Sequence, residues 1–225
     1  MKTIGMIGGL SWHSTIDYYR AINQQVQDRL GGMASAKIVL FSLNFAELRD
    51  APTVEQKRAL LAAAVDGLKR AGADFFVVCA NTTHSHFPHI PLVLPFVHVA
   101  EVVFEEAVKR GFRKVGLLAT KKTVEAGFYP VIGETYGVDV VVPTPPRVEV
   151  VDRIIQKELL LGHLDPSSRL ALEDAAQEMR ADGADAVILG CTELPGFFGD
   201  VIGGLPTLDS LALHVARVVA TALDD

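Results

Sequence analysis

The sequence predicts an α/β protein built from two pseudo-symmetric domains, each a short parallel sheet flanked by helices. Three observations lead there. Apolar runs of strand length alternate with longer segments of helical period. Those runs are continuously apolar, not alternating, as strands covered on both faces by helices must be. And the two halves match at one constant spacing.

The elements follow in order. KTIGMI (2–7), AKIVLF (36–41), ADFFVVC (73–79), RKVGLLA (113–119), VDVVVP (138–143) and ADAVILGC (184–191) read as strands. Residues 14–30, 54–71, 98–110, 148–161, 167–181 and 209–223 read as helices. LKRAGADFFVVCAN (68–81) aligns with EMRADGADAVILGCT (178–192), setting Gly72 against Gly183 and Asp74 against Asp185, each 111 residues apart. KTIG (2–5) aligns with RKVG (113–116) at the same spacing, as a duplication would require. The expected division places residues 1–96 with 209–225 in one α/β domain and 97–208 in the other, the break falling near the Pro-rich PHIPLVLPF (88–96).

Composition excludes several classes. A net charge of −6 with Lys and Arg scattered along the chain leaves no basic stripe for nucleic acid. No apolar run reaches the roughly 18 residues of a membrane span, and MKTIGMIGGLSWHS lacks the features of a signal peptide, so a cytoplasmic protein with no membrane partner is expected. Two cysteines in 225 residues read as free thiols.

Ligands of parallel sheets bind at the carboxyl ends of the strands, where backbone N–H groups of the next loop point outward. Four such ends are small and polar: GGLSWHS (8–14), ANTTH (80–84), ATKKT (119–123) and GCTE (190–193). Under the duplication they form two pairs facing one cleft. Ser11, Asn81, Thr82, Thr83, Thr120 and Thr192 suit a carboxylate, and equally suit helix capping.

Cys191, after a strand and before an expected helix start, reads either as a thiolate lowered by that position or as a small buried side chain. Cys79 is the weaker candidate: at the repeat spacing Cys191 pairs with Ala80, whereas Cys79 pairs with Gly190. In an extended strand the two would face opposite sides. The histidines of HSHFPH (84–89) lack the partners of a zinc site, so no metal is expected; His84, closest to the polar loop, either orients a ligand or a neighbouring group or is a surface-loop histidine, the commoner outcome. GMIGG lacks dinucleotide-loop spacing, no P-loop is present, and no lysine stands out as a pyridoxal phosphate anchor, so no cofactor is expected.

Together, GMIGGLSWHSTIDYY (5–19), CANTTH (79–84), GLLAT (116–120) and GCTEL (190–194) resemble the pyridoxal-phosphate-independent aspartate/glutamate racemase family. The resemblance implies two pseudo-symmetric α/β domains with the active site between them, a homodimer, and a small amino-acid or dicarboxylate substrate. It also implies two cysteines, one removing the Cα proton and one returning a proton on the other face. It places Cys191 as the second thiol and puts Asn81, Thr82, Thr83, Thr192 and Glu193 at the substrate. Where the family carries its first cysteine, this sequence has Ala80. Cys79 after a local bend, a hydroxyl such as that of Thr83, or a water would then handle the second proton, giving a slow or one-sided racemase. Arg49 stands where some aspartate-specific members hold the side-chain carboxylate, and is equally a solvated helix-start arginine. Two alternatives stand beside this one: a single-cysteine decarboxylase or isomerase of a small dicarboxylate, and a non-catalytic small-carboxylate-binding protein.

Overall fold

Strand β1 (Ile4–Gly8) is buried along its whole length, and β2 (Ile38–Ser42) and β3 (Phe75–Val78) pair with it in parallel on either side, in a computed structural model that describes residues 1–224. Helices α1 (Trp12–Leu30), α2 (Phe45–Asp50) and α3 (Val54–Arg70) connect these strands. Thr53 starts α3 with a capping box completed by Gln56. After β3 comes a 3-10 stretch, Thr82–His89, and then a parallel bridge from Phe76 to Phe96. The expectation that every strand is covered on both faces fails at β2: it is an edge strand, and Leu40 and Phe41 are exposed.

The second set begins with α4 (Val99–Lys109) and β4 (Lys114–Leu118), followed by α5 (Lys121–Glu125), α6 (Phe128–Thr135) and β5 (Asp139–Val141). Next come α7 (Pro145–Lys157), α8 (Pro166–Ala181), β6 (Ala186–Leu189), α9 (Pro195–Phe198), β7 (Val201–Ile202), β8 (Leu205–Asp209) and α10 (Ser210–Leu223). Its sheet runs β5-β4-β6-β8-β7, parallel except for the short β7. The helix expected over 148–161 starts earlier, because prolines at its first positions suit a helix N-terminus, and gives way to a 3-10 turn that ends at Gly162 with φ 78°.

The chain divides into two compact units, residues 1–98 with 214–225 and residues 99–213. The division thus falls two residues after the expected break and, at the C-terminal end, inside α10 and not before it. The first has a core from β1, β3 and α3, including Ile7, Leu61, Leu68 and Phe76. In the second, one cluster packs α7 and α8 on one face of the sheet and another packs α4 and α6.

The repeat is legible atom by atom. Asp74 N–H bonds to Thr3 O, and Asp185 N–H to Lys114 O. The Asp74 carboxylate accepts from Thr3 N–H, and that of Asp185 from Lys114 N–H. Gly72 and Gly183 share the left-handed turn, with φ 87° and 90°. A Cβ on Gly5 would meet Leu68, and one on Gly116 would meet Met179, again 111 residues on. The correspondence reaches further than the sequence reading took it: the Phe76–Phe96 bridge matches Val187–Thr207, so residues 94–98 are the counterpart of β8, and α4 that of α10. The helix after each repeat's last strand therefore belongs, wholly or in large part, to the other unit's residues.

Candidate active site

Gly190 extends the β6 ladder by one bond, N–H to Leu118 O at 2.8 Å, and a Cβ there would lie 2.8 Å from Leu117. A glycine is required before the chain turns. Cys191 follows, partly buried, and its Sγ donates to Glu193 Oε2 at 2.9 Å; Thr192 Oγ1 donates to the same oxygen at 2.8 Å. Burial, then the Glu193 charge and hydrogen bond, raise the Cys191 pKa well above the ordinary thiol value. The expected lowering toward thiolate is therefore corrected: α9 is only one turn of helix, and the nearest charge is negative. Glu193, placed by resemblance at the substrate, is here occupied by the thiol and Thr192.

One carboxyl was missed. Asp209 lies opposite Leu189 in register, at the same sheet edge as the Cys191 loop, and accepts from Leu211 N–H at 2.9 Å and Ala212 N–H at 3.0 Å. Burial raises its pKa, which those two bonds partly offset. The signal available was an Asp before a helix, the N-cap pattern.

In the first unit, Cys79 N–H bonds to Ile7 O at 3.0 Å, the counterpart of the Gly190 bond. The register read from the repeat thus holds, with Ala80 as the counterpart of Cys191. Cys79 is fully buried, and burial drives its pKa far up. Asn81 and Thr83 are each 8 % exposed, and Thr82 is half-buried. Ser11 caps α1 through Ser14 N–H at 3.5 Å, and Thr120 caps α5 through Thr123 N–H at 3.4 Å. Asn81 begins its 3-10 stretch without a capping bond from its side chain. Arg49 is exposed and chelates Asp50, Nε to Oδ1 at 2.6 Å and Nη2 to Oδ2 at 2.9 Å.

His84 is not in a surface loop. It is fully buried, its Nδ1 2.7 Å from Ala80 O, and its ring stacks on Phe96 with His98 and His214 edge-on at 4.7 and 5.6 Å between centroids. His214 bonds Tyr18 Oη at 2.8 Å and Val97 O at 2.9 Å. Burial holds His98 and His214 down at about 4 and pushes His84 well below the ordinary histidine value; His98 and His214 lower His84 further, and His214 lowers His98. The folded state binds the neutral rings, so this stabilisation is complete above about pH 6.5 and is lost as pH falls toward 4. Urea unfolding midpoints should fall over that window, and less so in a His98→Asn variant.

The group of possible metal-binding side chains among the described residues is Glu158, His163 and Asp165; Glu158 already accepts from Asp165 N–H and Ser168 Oγ. No helix of the described residues is long and apolar enough to cross a membrane.

Residues 7–218 match the family described as Asp/Glu/hydantoin racemase. A glutamate racemase from Thermus thermophilus is 37% identical over 70% of this chain and 58% of its own length. The match thus spans little more than half of that relative. A broad specificity amino-acid racemase from Bacillus subtilis is 26% identical over 75% of this chain and 73% of its own. Among solved structures, a candidate Asp/Glu racemase from Yersinia pestis superposes with TM-score 0.93 and 38% identity, covering 99% of this chain and 100% of that one. An aspartate racemase homologue from Pyrococcus horikoshii gives 0.88 and 33%, with the same coverage.

Proposed function

This chain belongs to the Asp/Glu/hydantoin racemase family, and on that premise we propose that it is a cofactor-independent amino-acid racemase acting on aspartate, glutamate or a similar small amino acid. The observation that carries the reading is the Cys191 thiol hydrogen-bonded to Glu193 in the loop after β6. Abstraction of the Cα proton needs a thiolate, and Glu193 Oε2 stands where the thiol proton can go. Serine, threonine and amide groups of Ser11, Asn81, Thr82, Thr83, Thr120 and Thr192 serve the substrate carboxylate, where negative charge builds as the proton leaves. Arg49 can hold a side-chain carboxylate only by releasing Asp50.

The second proton is the weak point of this enzyme. Ala80 offers no acid, and Cys79 is fully buried at the strand position that matches Gly190. Thr83, or a water it holds, is left to serve the opposite face, and a hydroxyl is a far poorer acid or base than a thiol. Exchange at Cα should therefore outrun inversion. A cytoplasmic homodimer belongs to the same reading.

The raised Cys191 pKa favours one second reading: a thiol that is protonated at rest suits donation to an enediolate, as a single-cysteine decarboxylase of a malonate-like dicarboxylate would require. Incubation in heavy water with each enantiomer of aspartate and glutamate separates the two. Deuterium entry at Cα with slow inversion supports the racemase. No exchange with any amino acid, together with turnover of a malonate, overturns it. Ala80→Cys should then speed inversion relative to exchange, roughly tenfold or more if that position faces the substrate.

A further inference from the structure

We propose that His84 is a positioning residue, which through Nδ1 holds the Ala80 carbonyl and so sets the backbone from which Asn81, Thr82 and Thr83 meet a substrate carboxylate. This rests on the racemase reading for the identity of the ligand, but not for the positioning itself. A carbonyl only accepts, so the ring proton is on Nδ1, which reaches Ala80 O at 2.7 Å and Asn81 O at 3.3 Å. Nε2 is then the bare nitrogen, buried and with no hydrogen-bond partner among the described residues. Every polar bond of this ring thus goes to two successive carbonyls, Ala80 O at the shorter distance, and a buried imidazole without them would be costly.

The ring is itself fixed. Phe96 stacks on one face at 5.3 Å, and His98 and His214 close its edge, with His214 anchored in turn by Tyr18 and Val97. The second unit solves the same problem differently. At the counterpart of Ala80, the Cys191 carbonyl accepts the Leu194 backbone N–H at 3.2 Å. In the first unit an imidazole from one turn onward serves that place, while His84 N–H bonds Asn81 O and Ser85 Oγ bonds Thr82 O. The consequence is a short loop in which the direction of the Ala80 carbonyl depends on a side-chain ring and not on a backbone N–H.

Three variants test it. The side-chain amide of His84→Asn puts a donor near Nδ1, that of His84→Gln puts one near Nε2, and His84→Leu has none. The Leu and Gln variants should raise KM roughly tenfold with kcat changed much less, because a misdirected loop weakens substrate binding, and Asn should restore KM to within about twofold. A merely structural role would reduce the active fraction, lowering kcat in all three with KM unchanged; that result overturns the proposal. Amide hydrogen exchange of residues 80–84 without substrate decides independently of activity: faster in Leu and Gln but not in Asn upholds it, equal change in all three sinks it. Should the wild type exchange no amino acid, the racemase reading fails while this arm still stands. Should the variants not fold, nitrogen NMR of the native ring decides, since a proton on Nε2 in place of Nδ1 overturns the assignment.

Discussion

Cys191→Ser should slow exchange of the substrate α-proton by roughly 10²- to 10⁴-fold, the range a positioned acid or base contributes. Serine is nearly isosteric, so Oγ should keep the bond to Glu193 Oε2 and the loop after β6 should keep its shape. What changes is acidity: an alcohol gives up its proton to a carboxylate far less readily than a thiol does. Circular dichroism and thermal unfolding should match the wild type while deuterium incorporation collapses. Cys79→Ser makes the contrast, because Cys79 is fully buried, on the strand position that matches Gly190, and held protonated. It should cost stability by leaving a hydroxyl in an apolar place and leave exchange per folded molecule within about twofold. Equal loss of exchange in both variants would mean that the two-cysteine mechanism applies after all.

Gly9→Ala should be the most damaging single methyl in the first unit. The residue has φ +79°, and an added Cβ would collide with Leu43 O and lie 2.8 Å from Leu43 N. Backbone cannot swing aside as a side chain does, so the Leu43 N–H bond to Gly8 O, 3.0 Å long, must break or β1 must shift. Strain at positive φ, overpacking and a lost hydrogen bond together amount to about 3–5 kcal/mol, a large share of the roughly 5–15 kcal/mol that holds a protein folded. Gly162→Ala is the matched control: its φ is +78° in the left-handed region, with nothing within 4 Å of the new methyl. It should cost about 1 kcal/mol. Urea titration of both variants checks the difference, and equal costs would refute the contact argument.

Much of this was legible in the sequence, for reasons that differ by residue. Strands β1, β3, β4 and β6 announced themselves because burial on two faces forces unbroken apolar runs. The place of Ala80 opposite Cys191 followed from the repeat alone, and the bonds of Cys79 and Gly190 to Ile7 and Leu118 repeat it in space. Strand β8 was hidden by composition, because Gly203, Gly204 and Pro206 are residues that strands disfavour, although Leu205-Pro206 repeats Leu94-Pro95 at the spacing of the other blocks. Glu193 was legible as a site residue, but its bond to Cys191 was hidden by geometry, since a carboxylate two residues beyond a thiol reaches it only if the loop doubles back. The burial of His84 was hidden by its neighbours in sequence, which are polar, while those that bury it, Phe96, His98 and His214, come from later in the chain.

The exchange of helices between repeats sets an order of events during synthesis. Residues 99–213 are contiguous, and their unit has all its parts before the residues from His214 onward are made. The first 98 residues emerge earlier but lack Val215, Val218 and Val219, which are fully buried in the finished protein, and His214, which anchors the ring cluster around His84. Joining Lys2 N–H to Ala222 O closes nearly the whole chain length. Contacts so distant form late, because a long loop must close before they contribute anything. Of these two units, the one whose first 98 residues are made earlier is therefore the one completed later, and the loop proposed to hold the substrate is finished only once the residues from His214 onward have been made.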